Sequence, residues 1–176
     1  MHITVCCSGG GGNFQYLIDN QRQFKITNLI VDKPCGAIDK AKAAGIHWTI
    51  STDPTNVQPH VPEYSDVVVL AGYMPIISKT CCTNLRMINT HPSLLPKYGG
   101  KGMYGVKVQE AVIANSEPYA GCSVHWVTPG IDEGKVIIQK RLVVNPGESA
   151  WDLGGRIFQM EGPALVEALT QIKARL

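Results

Sequence analysis

Two polar side chains, Asn89 and His91, stand one residue apart in the stretch Asn89-Thr90-His91-Pro92-Ser93-Leu94-Leu95-Pro96-Lys97. Residues two apart on an extended strand share a face, so an amide and an imidazole would project together. An Asn N–H beside a protonated His N–H is the donor pair that a tetrahedral oxyanion requires. Taken singly, each has a plainer role: a lone His is more often a satisfied structural residue, and a lone Asn a turn or a cap. The third candidate is Asp132, in Gly130-Ile131-Asp132-Glu133-Gly134. An aspartate between glycines is ordinarily a turn residue. It gains a chemical role only if the fold brings it to His91, where it would hold the imidazolium and help relay a proton. Spacing along the chain cannot show that approach.

A different chemistry attaches to Ser8-Gly9-Gly10-Gly11-Gly12-Asn13. This glycine run follows a short apolar strand, Ile3 to Cys7, and precedes Phe14, Leu17 and Ile18 at helical spacing. A glycine turn between strand and helix exposes backbone N–H groups, and the helix dipole adds partial positive charge, so a phosphate would be favoured. The spacing is neither a strict GxGxxG nor a Walker loop, because no Gly-Lys-Ser/Thr follows. A flexible tight turn is the plainer alternative.

The elements that must position these residues alternate along the chain. After the glycine loop and its helix come a strand over Ile26 to Val31, an Ala- and Lys-rich helix over 37–44 closed by Gly45, and a strand over His47 to Ile50. Three prolines between Asp53 and Pro62 mark a loop. Asp66-Val67-Val68-Val69-Leu70-Ala71 is an unbroken apolar run of the kind covered on both faces. A short helix over Ser78 to Thr83 leads to a fifth strand, Met87-Ile88-Asn89, and a glycine-rich loop from Leu95 to Gly105. Then follow a helix from Val106 to Asn115 and two strands, 120–127 and 135–144, joined through Thr128-Pro129-Gly130 and Asp132-Glu133-Gly134. Ser149-Ala150-Trp151-Asp152 fits a capping box for a terminal helix reaching about Arg175, weakened by Gly154 and Gly155 and open to a kink at Pro163. This order predicts a single domain over 1–176 of the α/β class: a doubly wound, mostly parallel, Rossmann-like sheet, mixed in direction at its C-terminal strands. Asn89 and His91 would then lie at or just beyond the carboxyl edge of the sheet, where open α/β folds bind ligands.

Bulk properties narrow the classes. Hydrophobic residues make up 44% and charged residues 17%, an ordinary globular balance, and the formal net charge of +2 does not point to nucleic acid or a membrane surface. Lys97, Lys101 and Lys107 flank the glycine-rich stretch, as a solvated face or as an attraction for an anionic substrate. Six cysteines, without CxxC spacing or a His/Cys ligand array, read as small, mostly buried apolar residues in a reducing compartment, with no metal expected. No apolar run approaches the ~20 residues that span a bilayer. These features predict a soluble cytoplasmic protein.

At this point the residues resemble a known family. The segment from Asn89 to Gly105 looks like the signature of the phosphoribosylglycinamide formyltransferases, within the folate-dependent formyltransferases. Gly121-Cys122-Ser123-Val124-His125-Trp126-Val127 with Ile131-Asp132-Glu133-Gly134 is similar to a second block of that family. Ser8 to Asn13 resembles its phosphate loop, and Leu70-Ala71-Gly72-Tyr73-Met74 its fourth-strand segment, and all four keep their order nearly end to end. The resemblance implies direct formyl transfer from 10-formyltetrahydrofolate to the primary amine of 5′-phosphoribosylglycinamide, through a tetrahedral adduct and without a metal. Asn89 and His91 would stabilise that adduct, and Asp132 would keep His91 charged. Gly10, Gly11, Gly12 and Asn13 would cradle the substrate phosphate, with Gly72, Pro92 and Glu161 along the glycinamide and ribose. Met74, Ile77 and the backbone of Thr128, Gly130 and Asp132 would hold the pteridine.

Three departures from the family pattern stand out, the first two bearing on the acceptor and the third on substrate or dimer contacts. Pro75 stands where an arginine is common, Phe158 where a polar substrate contact is common, and the Asp53–Asp66 connection is short. A formyltransferase for another amine, such as an amino sugar or modified amino acid, is therefore a second expectation. A non-catalytic nucleotide-binding α/β protein is a third, with Asp32 as its possible ribose ligand. The chain is expected to act as a monomer or homodimer on a small phosphorylated amine.

Overall fold

The computed structural model describes residues 1–176. Seven strands form one sheet: β1 (His2–Cys7), β2 (Lys25–Val31), β3 (His47–Ile50), β4 (Val67–Leu70), β5 (Met87–His91), β6 (Tyr119–Trp126) and β7 (Val136–Val143). Their spatial order is β3-β2-β1-β4-β5-β6-β7. The first five are parallel, and β6 and β7 are antiparallel to their neighbours. The sheet is therefore mostly parallel and mixed at its C-terminal strands. The helices are α1 (Gly12–Asp19), α2 (Gly36–Ala43), α3 (Lys79–Asn84), α4 (Val106–Ala114) and α5 (Ala150–Lys173).

Period-two alternation sorts the strands between two cores. Ile3, Val5, Val67 and Val69 pack with Phe14 and Leu17 of α1, Ala37 and Ala41 of α2, and Leu153, Ile157 and Leu165 of α5. Their neighbours Cys6, Val68 and Leu70 face the other way, onto Val57, Tyr73, Ile77 and Cys81. Every residue of β4 is consequently buried, as an unbroken apolar run requires. At roughly 1.5–3 kcal/mol for each large aliphatic side chain removed from water, these two layers dominate the stability of the sheet.

Several local expectations are corrected. β5 continues two residues past Asn89, because β6 pairs with it through His91. The proline-rich segment after β3 holds a 3-10 turn at Gln58–His60, with Asn28 donating to the His60 carbonyl at 3.0 Å. Only half of the capping box forms. Ser149 Oγ accepts from the Asp152 N–H at 3.1 Å, while the Ser149 N–H makes no bond to the Asp152 carboxylate. The carboxylate of Glu148 instead binds the Asn145 N–H and Arg156, tying the start of α5 to the preceding turn. α5 runs unbroken through Gly154, Gly155 and Pro163, held by its buried stripe. Five of the six cysteines are buried, in keeping with mostly buried apolar residues, and Cys35, at the N-cap of α2, is half-buried.

The topology places the site. Strand order reverses between β1 and β4, and at such a switch point the two following loops separate to leave a crevice. Here Ser8, just after β1, donates its N–H to the Gly72 carbonyl at 3.1 Å, and Ser8 Oγ accepts from the Met74 N–H at 2.8 Å.

Candidate active site

Asn89 and His91 lie at the carboxyl end of β5 and line a cavity with the segment that follows β4. Antiparallel β6 sets His125 directly opposite Asn89 and Ser123 opposite His91. The loop between β6 and β7 then turns back and delivers Asp132. Its carboxylate lies between two imidazoles, Oδ2 at 3.5 Å from His91 Nδ1 and Oδ1 at 3.6 Å from His125 Nε2. Asn89 Nδ2 lies 3.3 Å from His125 Nε2. The three predicted polar residues thus meet, with His125 as a fourth.

Backbone partners limit the protonation of both rings. His91 Nε2 is 2.8 Å from the Tyr98 carbonyl, which can only accept, so this nitrogen carries a proton. Its Nδ1 faces a carboxylate, an attractive arrangement when that nitrogen is also protonated. The same logic protonates His125 Nδ1, which is 3.0 Å from the Trp126 carbonyl. His125 Nε2 is left to Asn89 and Asp132. Burial opposes ionisation of Asp132, but His125, the Gly100 N–H at 3.0 Å and the neighbouring imidazole charges outweigh it. The carboxyl is held below the usual carboxylate range.

Three non-glycine residues have a positive φ, and two of them grip His91. Tyr98 presents its carbonyl at φ 56°, and Asp132 its carboxylate at φ 56°. Such backbone costs on the order of 1–3 kcal/mol per residue and persists only where the surroundings over-determine it. The strain falls on the two residues that orient one imidazole.

This cluster forms part of the wall of a cavity of about 590 Å³. Gly72, Met74, Ile77, Pro92, Thr128, Gly130 and Glu161, all predicted as binding residues, line the same space. Leu70, Ile77 and Val127 give it an apolar side, suited to a flat heterocycle, and the 128–132 backbone gives it polar groups. Of the three lysines flagged above, Lys101 alone lines it. Lys97 is paired with Glu117 at 3.0 Å, and Lys107 lies over the Tyr104 ring at 4.5 Å. No group of three or more His, Cys, Asp and Glu side chains is arranged to hold a metal ion.

The glycine loop sits apart from that wall. Gly10, Gly11, Gly12 and Asn13 do not line the cavity, and their link to it is one hydrogen bond, from Asn13 Nδ2 to Glu161 Oε2 at 2.7 Å. Burial pushes the Glu161 carboxyl up to about 7, against the lowering effect of that bond. Gly11 needs its glycine: φ is 73°, and a Cβ would stand 2.9 Å from Ala37 Cβ. A Cβ on Gly12 would meet Phe158 Cζ at 2.6 Å, so an aromatic ring lies directly on the loop.

His125 and the carbonyl of Tyr98 were not among the predicted site residues. His125 stood in the quoted Gly121–Val127 block, but only the antiparallel register of β6 against β5 reveals that it faces Asn89.

The fold and this cluster define a class. The family described as "Formyl transferase" matches residues 1–169, and the chain belongs to it. Within that class its relatives include phosphoribosylglycinamide formyltransferases and trifunctional purine biosynthetic proteins. It is 33% identical to phosphoribosylglycinamide formyltransferase of Escherichia coli (strain K12), over 92% of this chain and 82% of that protein. It is 29% identical to the chloroplastic phosphoribosylglycinamide formyltransferase of Arabidopsis thaliana, over 97% of this chain but only 64% of that protein's length. A solved structure of phosphoribosylglycinamide formyltransferase from Coxiella burnetii superposes with a TM-score of 0.87 at 30% identity, covering 99% of this chain and 87% of the other. No helix here is long and apolar enough to cross a membrane, and the chloroplastic relative shows that family membership does not fix a compartment.

Proposed function

We propose that this chain transfers a formyl group from 10-formyltetrahydrofolate to the primary amine of 5′-phosphoribosylglycinamide. One observation carries the reading: an amide donor and two imidazoles gathered around a half-buried carboxylate in the wall of a cavity large enough for a pteridine. In the first step the amine nitrogen attacks the formyl carbon and its C=O electrons move onto oxygen. An N–H of the Asn89 amide and a proton shared by His91 Nδ1 stabilise that oxyanion. Asp132 balances the imidazolium throughout, and with His91 moves the proton from the attacking nitrogen toward the departing one, through water. The adduct then collapses with cleavage of the bond to the donor nitrogen, which leaves protonated.

The same reading gives the pteridine to Met74, Ile77 and the backbone of Thr128, Gly130 and Asp132. Gly72, Pro92 and Glu161 would flank the acceptor, and Gly10 to Asn13 its phosphate, with Asn13 and Glu161 joined as one unit. We place the reaction in the cytoplasm, in keeping with six free cysteines, and in a monomer or homodimer. A second acceptor class, an amino sugar or modified amino acid, is favoured by the Phe158 ring that packs on Gly12.

The test is folate-coupled absorbance with a panel of amines. The proposal expects turnover with 5′-phosphoribosylglycinamide and a large rise in its KM when the phosphate is removed. Equal KM for the phosphorylated and dephosphorylated amines would transfer the assignment to the second class. No turnover with any amine would remove the catalytic reading altogether.

A further inference from the structure

A second cavity, of about 200 Å³, opens at the opposite, amino-terminal edge of β5. It is lined by Arg86, Trp126, Lys135, Val136, Ile137, Gln171, Ile172 and Arg175. Three cations from three separate elements surround it: Arg86 precedes β5, Lys135 precedes β7, and Arg175 follows α5. No carboxylate lines it. None of the three cations is in an ion pair, whereas Lys97, Lys140 and Arg156 each have a carboxylate partner.

The α5 C-terminus does not supply the missing counter-charge. Thr170, Ile172 and Lys173 already spend their carbonyls on the N–H groups of Ala174, Arg175 and Leu176. Meanwhile Arg86 is held in place, its guanidinium 5.4 Å above the Trp126 ring centroid, and buried Ile172 closes the floor. Like charges gathered around a small concavity raise the local potential and concentrate anions. A guanidinium pre-positioned on an indole loses little further freedom when it takes an oxyanion.

We propose that this cavity binds a small soluble polyanion of the phosphate or phosphomonoester class. The geometry assigns two guanidinium forks and one ammonium to its oxygens, with the Gln171 amide as a neutral donor. The site is separate from the glycine loop and does not depend on the formyl-transfer reading. Its occupant would lie against the residue whose carbonyl receives the His125 Nδ1 proton at 3.0 Å.

The experiment is a titration of the full chain with inorganic phosphate and with pyrophosphate, following the Trp126 indole N–H by NMR. The resonance is assigned by its loss in Trp126→Phe, and chloride at matched ionic strength is the screening control. This local readout ignores any phosphate taken up by the glycine loop. The expected result is a saturable shift with a midpoint of about 1 mM or tighter. The midpoint should weaken at least tenfold in Arg86→Gln/Arg175→Gln, and in Lys135→Gln to a lesser degree, while Lys79→Gln on α3 leaves it unchanged. A non-saturable drift equal to that in chloride would overturn the proposal, as would an unchanged midpoint in the folded double variant.

Discussion

Replacing Asp132 by asparagine keeps the shape of the side chain and removes the charge that two imidazoles share. At 3.5 Å and an effective dielectric of about 20, one unit pair is worth roughly 4–5 kcal/mol. His91 then loses the stabilisation of its imidazolium during formyl transfer, which corresponds to about a thousandfold in turnover. Asparagine still offers an oxygen to the Gly100 N–H, so the 128–132 backbone should hold its course and the donor KM should change by about threefold or less. The assay is steady-state folate-coupled absorbance on wild type and Asp132→Asn, with circular dichroism to verify folding.

The same variant carries a thermodynamic signature. The folded-state pKa of Asp132 is depressed, so its ionised form stabilises the fold above the unfolded value of about 3.9. That contribution disappears as pH falls through the lower folded value. Wild type should therefore be more stable than Asp132→Asn near neutrality, and the gap should close below about pH 4. A folded variant whose turnover stays within about tenfold of wild type would refute the proposed catalytic role of the carboxylate.

Glu161 behaves in the opposite sense. Its folded pKa is raised to about 7, so the native state holds an extra proton between roughly pH 4.3 and 7, and stability should fall as pH rises across that window. Glu161→Gln should abolish this slope in thermal melts; a full shift would be worth roughly 3–4 kcal/mol. His125→Ala should lower kcat by about 10–100-fold while sparing KM, because it acts through the Asp132 carboxylate. Losing the His125 hydrogen bond should also move the Asp132-dependent acid limb of the kcat–pH profile to higher pH; an unmoved limb would make His125 a packing residue only. Gly12→Ala should cost on the order of 1 kcal/mol by pressing on the Phe158 ring, with most of it recovered in Gly12→Ala/Phe158→Ala. Chemical denaturation midpoints of the three variants, read as a double-mutant cycle, check that coupling.

What could be read from the chain alone is what depends on neighbours in sequence. Short apolar runs marked β1, β2 and β4, the glycine run marked the turn into α1, and Ser149 marked the start of α5. The two-residue spacing of Asn89 and His91 put them on one face before any coordinates, since strand geometry guarantees it. The ordered motifs likewise pointed to the family to which the chain belongs. The meeting of His91, Asp132 and His125 had no such local signature. It depends on β6 pairing antiparallel with β5 in one particular register, and on a loop that returns residue 132 across a separation of 41 positions from His91. The same is true of Phe158 on Gly12, brought together only when α5 crosses the sheet to reach α1. Secondary structure follows local torsional and hydrophobic preferences. Contacts between distant segments follow the packing of the whole sheet, and the chemistry here lies in those contacts.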